Sequence, residues 1–407
     1  MARIAVDWLV FELTGNVALV GLTVALQLGP TLLLGPWGGV ISDRFPRRRV
    51  LTICQSVSTI VNGTLAVLVL TGWVQLWQIF VSAIITGAFG AIDAPSRSAF
   101  IGEMVGTEGL RSAISLNGAI FHLGGLVGPA ISGILIVVVG SGWSISINAT
   151  TTAFAALALV FMRSDELVLA AKAPARGGQI REAVRYILRK PSISWVLLLI
   201  VFNAVFGMSL PVLLTASSVT YGSGAAGYGL YSSVAASGAL AGAVLSSLRQ
   251  TVRLRGTVGL VIVYGLMTVL AGVAPVFPVF LLGLAGLGVA RVLFGAAAES
   301  ITQLSSNQEI RGRVMSFYSM LMVGGQAVGG LVMGWFAEHL GSNIAFVIAG
   351  APPAIAGATV AVILAHRHQL RLELRVRDRH RWVQIVPREK NLRGTAENRM
   401  ERVVGPD

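Results

Sequence analysis

The feature that most restricts the fold of this chain is a series of apolar runs, each about twenty residues long. A membrane hydrocarbon core about 30 Å thick takes about 20 helical residues to cross, and a helix satisfies its own backbone polar groups on the way. A shorter apolar stretch, residues 2–13, precedes the full-length runs. The eleven predicted full spans lie near residues 16–42, 50–71, 75–95, 112–139, 143–162, 195–217, 226–248, 257–274, 277–299, 313–337 and 343–365. The pattern predicts an all-α membrane protein.

The composition argues against other classes of protein. Of the 407 residues, 54% are hydrophobic and only 12% are charged, whereas soluble domains carry about 25% charged residues. A soluble enzyme, a disordered chain and a nucleic-acid-binding domain are therefore poor fits. The single cysteine, Cys54, excludes a disulfide within one chain and a cysteine-ligated metal cluster. The sequence has no Walker loop, HExxH motif or paired-carboxylate motif, so no enzyme activity, cofactor or metal is predicted.

The basic residues occupy alternate connections between the predicted spans. The loop 163–190 and the tail from Arg367 are the most basic of them. Connections without Lys or Arg lie at residues 71–78, 140–143, 221–229 and 338–343. Cytoplasmic loops of membrane proteins carry an excess of Lys and Arg, so the basic connections and the C-terminus are predicted to be cytoplasmic.

The short stretch 2–13 is predicted to be part of a first helix. With the C-terminus in the cytoplasm, twelve spans place the N-terminus there as well, whereas eleven place it outside. We therefore expect residues 2–13 to be the outer half of a first helix whose inner half is missing from this chain. The alternative is a short re-entrant or surface helix.

The two halves of the chain resemble each other. Leu110-Arg111 followed by Gly124-Gly125 recurs 200 residues later as Ile310-Arg311 followed by Gly324-Gly325. This repeat predicts two six-helix halves related by a pseudo-two-fold axis. The predicted domains are an N-terminal helical half (1–162), a cytoplasmic linker with one amphipathic helix (163–194), a C-terminal helical half (195–366) and a basic cytoplasmic tail (367–407).

A motif of the first basic connection, GVISDRFPRRR at residues 39–49, resembles the signature loop of the major facilitator superfamily, G-x-L-A-D-R-x-G-R-R. This resemblance implies the fold of that superfamily. It also implies that Asp43 and Arg44 help to lock the two halves together in the outward-facing state. An alternative role as a membrane anchor explains the arginines but not the glycine and aspartate at this spacing. The residues assigned to the gating motif are Gly39, Asp43, Arg44, Arg47, Arg48, Asp93 and Arg97.

Further segments resemble a narrower branch of the superfamily. They are DWLVFELTG at 7–15, GPWGG at 35–39 and DAPSR at 93–97. They are similar to the bacterial drug and siderophore exporters, which include enterobactin exporters and macrolide efflux proteins. Members of this branch normally have further residues before the position of Met1, which agrees with an incomplete first helix.

A glycine-rich motif in the predicted fifth helix is similar to the antiporter motif of the superfamily, G-x-x-x-G-P-x-x-G-G. It consists of Gly124, Gly128, Pro129 and Gly133, and Ser132 replaces one of the final glycines. The resemblance implies export coupled to an inward flux of protons or another cation. Small residues also serve close helix packing alone, which is the alternative.

Ionisable residues inside the spans are candidates for function because their burial in lipid is costly. Asp7 and Arg3 are four residues apart and can pair on one helix face, and Asp7 is the first candidate for a proton site. A static pair is the alternative. Arg97 is placed to bind Asp43 as a gate, and contact with the substrate is the alternative. Further candidates for the proton or substrate path are Arg291, Glu299, Asn117 and Gln27. Two alternatives remain open for the partner of Arg291, namely an anionic group of the substrate and a structural carboxylate of the protein.

These observations and resemblances together predict a secondary active transporter of the bacterial cytoplasmic membrane. Its expected activity is proton-coupled efflux of amphipathic small molecules, drugs or siderophores, by alternating access. The expected partners are the substrate, protons or another cation, and the lipid bilayer, but no nucleic acid, and the expected state is a monomer. Import or uniport of a small solute and a transport-inactive membrane sensor or scaffold are the alternatives.

Overall fold

The computed structural model describes residues 2–163, 179–248, 253–367, 370–374 and 383–387. The N-terminal helices are α1 (Ala2–Thr14), α2 (Val17–Arg44), α3 (Arg47–Leu70) and α4 (Leu76–Phe161). A linker helix, α5 (Gln179–Arg189), follows them. The C-terminal helices are α6 (Pro191–Phe202), a π-helical turn (Asn203–Gly207), α7 (Leu210–Thr220), α8 (Gly224–Ser247), α9 (Leu254–Gly272), α10 (Phe277–Leu304) and α11 (Gln308–Arg367). The strands are β1 (Leu370–Leu374) and β2 (Val383–Pro387).

The long helices follow the predicted spans. In the described residues, nine helical stretches are long and apolar enough to cross a membrane. Helix α2 begins where Asn16 accepts a hydrogen bond from the Leu19 amide at 3.1 Å, and it ends just before Pro46. Two of the helices, α4 and α11, each contain more than one predicted span.

Helix α4 must reverse direction within its length. A straight helix of its 86 residues would be about 129 Å long, several times the membrane thickness. Gly140 has a φ of 84°, a conformation that breaks a regular helix, and it lies in a predicted arginine-free connection. Gly341 has a φ of 81° in the corresponding part of α11. These glycines turn the chain at the membrane surface.

Side-chain contacts identify two opposite ends of the helical body. At one end, which we call the basic end, Arg47 binds Glu103 and Arg48 donates to the carbonyls of Leu159 and Val160. The residues around Gly140 and Gly341 lie at the other, which we call the neutral end. There the Ser141 hydroxyl donates to Glu12 at 3.2 Å, and Ser342 donates to Thr220 at 2.8 Å.

Buried apolar side chains form one core cluster that joins N-terminal and C-terminal helices and a second cluster that does not. The first contains Val20 of α2, Leu213 of α7, Tyr228 of α8 and Met333 of α11. The second contains Ile187 of the linker helix and Phe294 of α10, and its buried members lie between residues 187 and 360. Of these two clusters in the described residues, only the first joins the N-terminal to the C-terminal helices.

The linker helix α5 is docked on the C-terminal helices. The hydroxyl of Tyr186 accepts a hydrogen bond from the Asn307 amide at 2.9 Å, and Lys190 Nζ donates to the Ser305 carbonyl at 3.0 Å. Ile187 is buried against these helices, whereas Leu188 remains exposed. Part of the apolar side of this amphipathic helix therefore packs on protein.

The basic tail contains a short ribbon that the sequence analysis did not predict. Strands β1 and β2 pair antiparallel, with Leu370 opposite Pro387. The alternation of leucine with charged residues in LRLEL has the two-residue period of a strand, so a signal for it was present.

Candidate functional site

A cavity of about 60 Å³ lies between α1 and the C-terminal helices α7, α8 and α10. Its apolar lining includes Ile4 of α1 and Leu210 and Leu214 of α7. Tyr228 and Ser232 of α8 and Arg291 of α10 supply its polar groups. The cavity therefore combines an apolar wall with one cationic side chain.

Asp7 lies beside this cavity and is completely buried in α1. Its Oδ1 atom accepts a hydrogen bond from Gln27 Nε2 of α2 at 3.1 Å, whereas Oδ2 has no hydrogen-bond partner among the described atoms. Trp8, the next residue, stacks on Tyr228 with 5.1 Å between ring centroids. Tyr228 is also an electrostatic neighbour of Asp7. The buried carboxylate is thus linked to the cavity through Tyr228.

Arg3 attracts Asp7 electrostatically without a direct contact. Its side chain is exposed, and no hydrogen bond or ion pair within 4.0 Å joins these two residues in the described part of the chain. The helical spacing correctly places them on one face, but Gln27 rather than Arg3 holds the carboxylate.

Arg291 and Glu299, which are eight residues apart in α10, do not form a pair. Glu299 accepts a hydrogen bond from Gln303 at 3.1 Å. Arg291 lines the cavity and is an electrostatic neighbour of Tyr264 in α9. Of the other polar candidates, Asn117 is partly buried in α4.

A π-helical turn interrupts the span formed by α6 and α7, next to the cavity. The Tyr264 hydroxyl donates a hydrogen bond to the Gly207 carbonyl, and Gln326 Nε2 donates to the Met208 carbonyl at 3.2 Å. These donors satisfy backbone carbonyls that the irregular turn exposes. The interruption sets the start of α7, which supplies Leu210 to the cavity wall. The sequence analysis did not predict this break.

Glycines bring the N-terminal and C-terminal helices together toward the neutral end. A Cβ atom on Gly21 of α2 would lie 2.2 Å from the Gly330 carbonyl oxygen of α11. A Cβ atom on Gly133 of α4 would lie 3.0 Å from the Gly229 Cα of α8. The Val17 amide also donates to Glu338 of α11 at 2.7 Å. Side chains larger than hydrogen cannot fit at the closest of these crossings.

At the basic end, the described residues form no close glycine contact of this kind between the same helices. In the described residues, no hydrogen bond or ion pair joins the N-terminal to the C-terminal helices there. Leu33 and Trp37, in the basic-end part of α2, have exposed fractions of 74% and 67%. The described conformation is therefore closed at the neutral end.

Two arginines of the signature loop have described contacts with the N-terminal helices. Arg47 Nη1 lies 2.8 Å from Glu103 Oε1. Arg48 donates to the carbonyls of Leu159 and Val160, at 2.7 Å each, where α4 ends. Glu103 is not predicted as a site residue from the sequence, because an isolated acidic residue gives no signal of its partner.

The remaining motif residues divide into those with described contacts and those without. Arg97 forms an ion pair with Asp93, and Asp93 accepts a second hydrogen bond from Gln55 at 3.0 Å. Arg44 is exposed at the end of α2. Gly124 and Gly128 have open space where a Cβ would stand, so within the antiporter motif Gly133 makes the described close contact. The predicted contacts of Gly39, Asp43 and Pro129 lie outside the part of the chain whose side chains are described.

Replacing Glu103 by glutamine is expected to lower the free energy of unfolding by about 1–3 kcal/mol, because the largely buried Arg47 loses the negative charge of the Glu103 carboxylate. The exposed fractions of the Arg47 and Glu103 side chains are only 17% and 9%. A titration of the purified protein with a denaturing detergent measures the change. Glu182→Gln is the matched control, because the Glu182 side chain that binds Arg313 is 65% exposed and a pair of this kind contributes at most about 1 kcal/mol. Equal effects of both substitutions would contradict this role.

The known proteins with similar sequences are transporters and exporters. Residues 1–385 match the family of the transmembrane secretion effectors. The chain is 23% identical over 339 residues to the uncharacterized MFS-type transporter YfiS of Bacillus subtilis, covering 79% of this chain and 78% of YfiS. It is 25% identical over 362 residues to the enterobactin exporter EntS of Citrobacter koseri, covering 86% of this chain and 85% of EntS.

The fold has solved counterparts as well. The crystal structure of a D-xylose-proton symporter superposes with a TM-score of 0.67 at 16% sequence identity, over 88% of this chain and 92% of the symporter. These matches confirm the family and the all-helical transporter fold predicted from the motifs. The chain belongs to the transmembrane secretion effector family of the major facilitator superfamily.

Proposed function

We propose that this major facilitator transporter exports amphipathic small molecules in exchange for protons. The observation that carries the proposal is the completely buried Asp7, which has one carboxylate oxygen without a described partner and lies beside Tyr228 of the cavity. The relative EntS is an enterobactin exporter, and this supports the direction of transport.

Asp7 carries the proton in this proposal. A charged carboxylate in the hydrocarbon region is costly, and a bound proton removes that charge. Gln27 holds one carboxylate oxygen at 3.1 Å and leaves the other available to a proton. Asp7 is an electrostatic neighbour of Tyr228, which lines the cavity. The charge of Asp7 therefore changes the electrostatic field that a substrate meets in the cavity.

Alternating access provides the transport cycle. The close contacts at the neutral end and their absence from the described basic end support one stage of such a cycle, with the neutral end closed. The excess of arginine at the basic end supports a cytoplasmic position for that end, and in this proposal the stage loads substrate from the cytoplasm. In the opposite stage the basic ends meet, and Asp43, Arg44 and Arg97 hold them together.

The other parts of the molecule have supporting roles in the same proposal. Residues 1–162 and 195–366 move as two helical halves, and the linker 163–194 joins them. The antiporter-like motif shapes the part of α4 that contains it, through Gly124, Gly128, Pro129 and Gly133. The contact of Gly133 with Gly229 lies between the two halves. The protein acts as a monomer in the bacterial inner membrane, with a cytoplasmic C-terminus.

Proton flux in inverted vesicles tests the proposal. Respiration acidifies the lumen of such vesicles, and an exported substrate that enters the lumen should drive protons out. We expect amphipathic dyes and drugs to raise the lumen pH only in vesicles that contain the protein, with accumulation of the substrate. Accumulation without a pH change would contradict proton coupling, and efflux of a preloaded substrate from the lumen would indicate import.

A further inference from the structure

Arg291 is an intramembrane cation that the proposed proton pathway does not use. It stands near the middle of α10, which runs over 28 residues from Phe277 to Leu304. Among the described residues, no carboxylate lies within 4.0 Å of its guanidinium, and its own-helix candidate Glu299 binds Gln303. An arginine at this depth normally faces a partner or a polar cavity because its charge is costly in hydrocarbon.

The packing of α8 against α10 directs Arg291 into the cavity. A Cβ atom on Gly238 would lie 2.1 Å from the Ala285 carbonyl oxygen, and one on Gly288 would lie 2.3 Å from the Ala235 carbonyl oxygen. One helical turn beyond this contact, Arg291 shares the cavity with Ala239 and Ser232 of α8. The small side chains of α8 leave space beside the guanidinium that a bulkier residue would fill.

The charges around the cavity leave a positive excess. In the described part of the chain, Arg291 lines it. Asp7 is an electrostatic neighbour of the lining residue Tyr228, and Arg3 directly precedes the lining residue Ile4 in α1. Two arginines and one carboxylate give a net charge of one positive unit when Asp7 is ionised, and two when it is protonated. A guest with one negative charge would neutralise this excess when Asp7 is ionised and reduce it to one positive unit when Asp7 is protonated.

The size and the lining of the cavity restrict what such a guest can be. Its volume of about 60 Å³ holds a few water molecules, and therefore a carboxylate, but a site for a whole drug-sized ligand has about 300 Å³ or more. Ile4, Leu210 and Leu214 present apolar surface to the same space. The cavity fits the anionic end of a molecule whose adjoining part is apolar.

We propose that Arg291 binds the anionic group of the transported molecule, so that the site selects amphipathic organic anions, carboxylates above all. The planar guanidinium can hold both oxygens of a carboxylate, which a lysine cannot do in the same geometry. Ser232 offers a hydroxyl to the same group. This inference rests on the proposed transport function and names the substrate class of its site.

Binding to the purified full-length protein in nanodiscs tests the inference. The probes are 1-naphthaleneacetate, 1-pyrenebutyrate and deoxycholate, each compared with its neutral amide by equilibrium dialysis against empty nanodiscs. At least one carboxylate should bind the unmodified protein more tightly than its amide. Arg291→Gln should weaken that carboxylate about 10- to 100-fold and leave the amide within about twofold, because the lost interaction is with a charged group.

Two further variants separate charge recognition from damage to the fold. Arg291→Lys keeps the positive charge but loses the paired N–H donors of the guanidinium. Compared with Arg291→Gln, it should restore part of the preference for the carboxylate. Arg255→Gln removes an exposed arginine at the start of α9 and should leave both affinities unchanged. No preference for any carboxylate over its amide, or an equal loss of carboxylate and amide in Arg291→Gln, would overturn the inference.

The binding test is independent of export. It needs no proton gradient and no direction of transport. If carboxylate binding depends on Arg291 while the vesicle assay shows no proton flux, the coupling proposal fails and the substrate inference stands. If proton flux occurs with neutral or cationic substrates while no carboxylate is preferred, the substrate inference fails alone.

Discussion

Replacing Asp7 by asparagine is expected to abolish the proton-driven accumulation of substrate. Asparagine has nearly the same shape, and its side-chain oxygen can still accept the hydrogen bond from Gln27, which is 3.1 Å long in this structure. It cannot bind and release a proton near neutral pH. The variant should therefore fold and bind substrate, while the substrate-dependent change of lumen pH falls to that of vesicles without the protein.

The Asp7→Asn protein should still exchange substrate across the membrane when no proton gradient is present. Substrate counterflow, which needs only reorientation of a loaded site, should continue because the neutral form of the site persists. Glu12→Gln is the matched control, since Glu12 also lies in α1 but accepts its hydrogen bond from Ser141 at the neutral end. This control should retain pH-driven accumulation. Continued accumulation by Asp7→Asn would remove Asp7 from the proton path.

Replacing Gly21 by valine is expected to stop the transport cycle by preventing closure of the neutral end. A Cβ atom at this position would lie 2.2 Å from the Gly330 carbonyl oxygen and 2.9 Å from the Gly334 Cα. Both contacts are with backbone atoms of α11, which cannot rotate away as a side chain can. The helices α2 and α11 must therefore separate, and transport should fall to background in both the flux and the counterflow assays.

A cysteine at position 17 reports the conformation of this variant. Val17 is buried at the neutral end, where its amide binds Glu338. In a background with Cys54→Ser, a membrane-impermeant thiol reagent should label Val17→Cys slowly in the otherwise unchanged protein and several-fold faster in Gly21→Val. Gly29→Val is the control, because a Cβ on Gly29 of the same helix meets no atom within 4 Å. Equal labelling in all three proteins would contradict closure through Gly21.

Local patterns in the sequence predict the helices well because their cause is local. The start of α2 follows Asn16, a side chain that caps helices, and its end precedes Pro46. The turns at Gly140 and Gly341 fall in arginine-free connections. The family was also accessible from the sequence, because the loop at 39–49 keeps its glycine, aspartate and arginines at the spacing of the superfamily.

The partners of the polar residues could not be predicted in the same way. Helical spacing relates Arg3 to Asp7 and Arg291 to Glu299, but Asp7 binds Gln27 and Glu299 binds Gln303. The ion pair of Arg47 with Glu103 and the bond from Tyr264 to Gly207 join residues 56 and 57 positions apart. No periodicity within one helix contains information about such pairs.

The sequence by itself determined that the chain crosses a membrane repeatedly, which helix ends are basic, and that Asp7 and Arg291 are costly in their places. These properties follow from the transfer of each segment between water and hydrocarbon, which depends on that segment alone. Only the tertiary structure decided that Asp7 lies beside Tyr228, that Arg291 enters a cavity, and that Gly21 meets Gly330. Those contacts depend on how closely helices from distant parts of the chain approach one another, and that is set by the packing of the whole helical body.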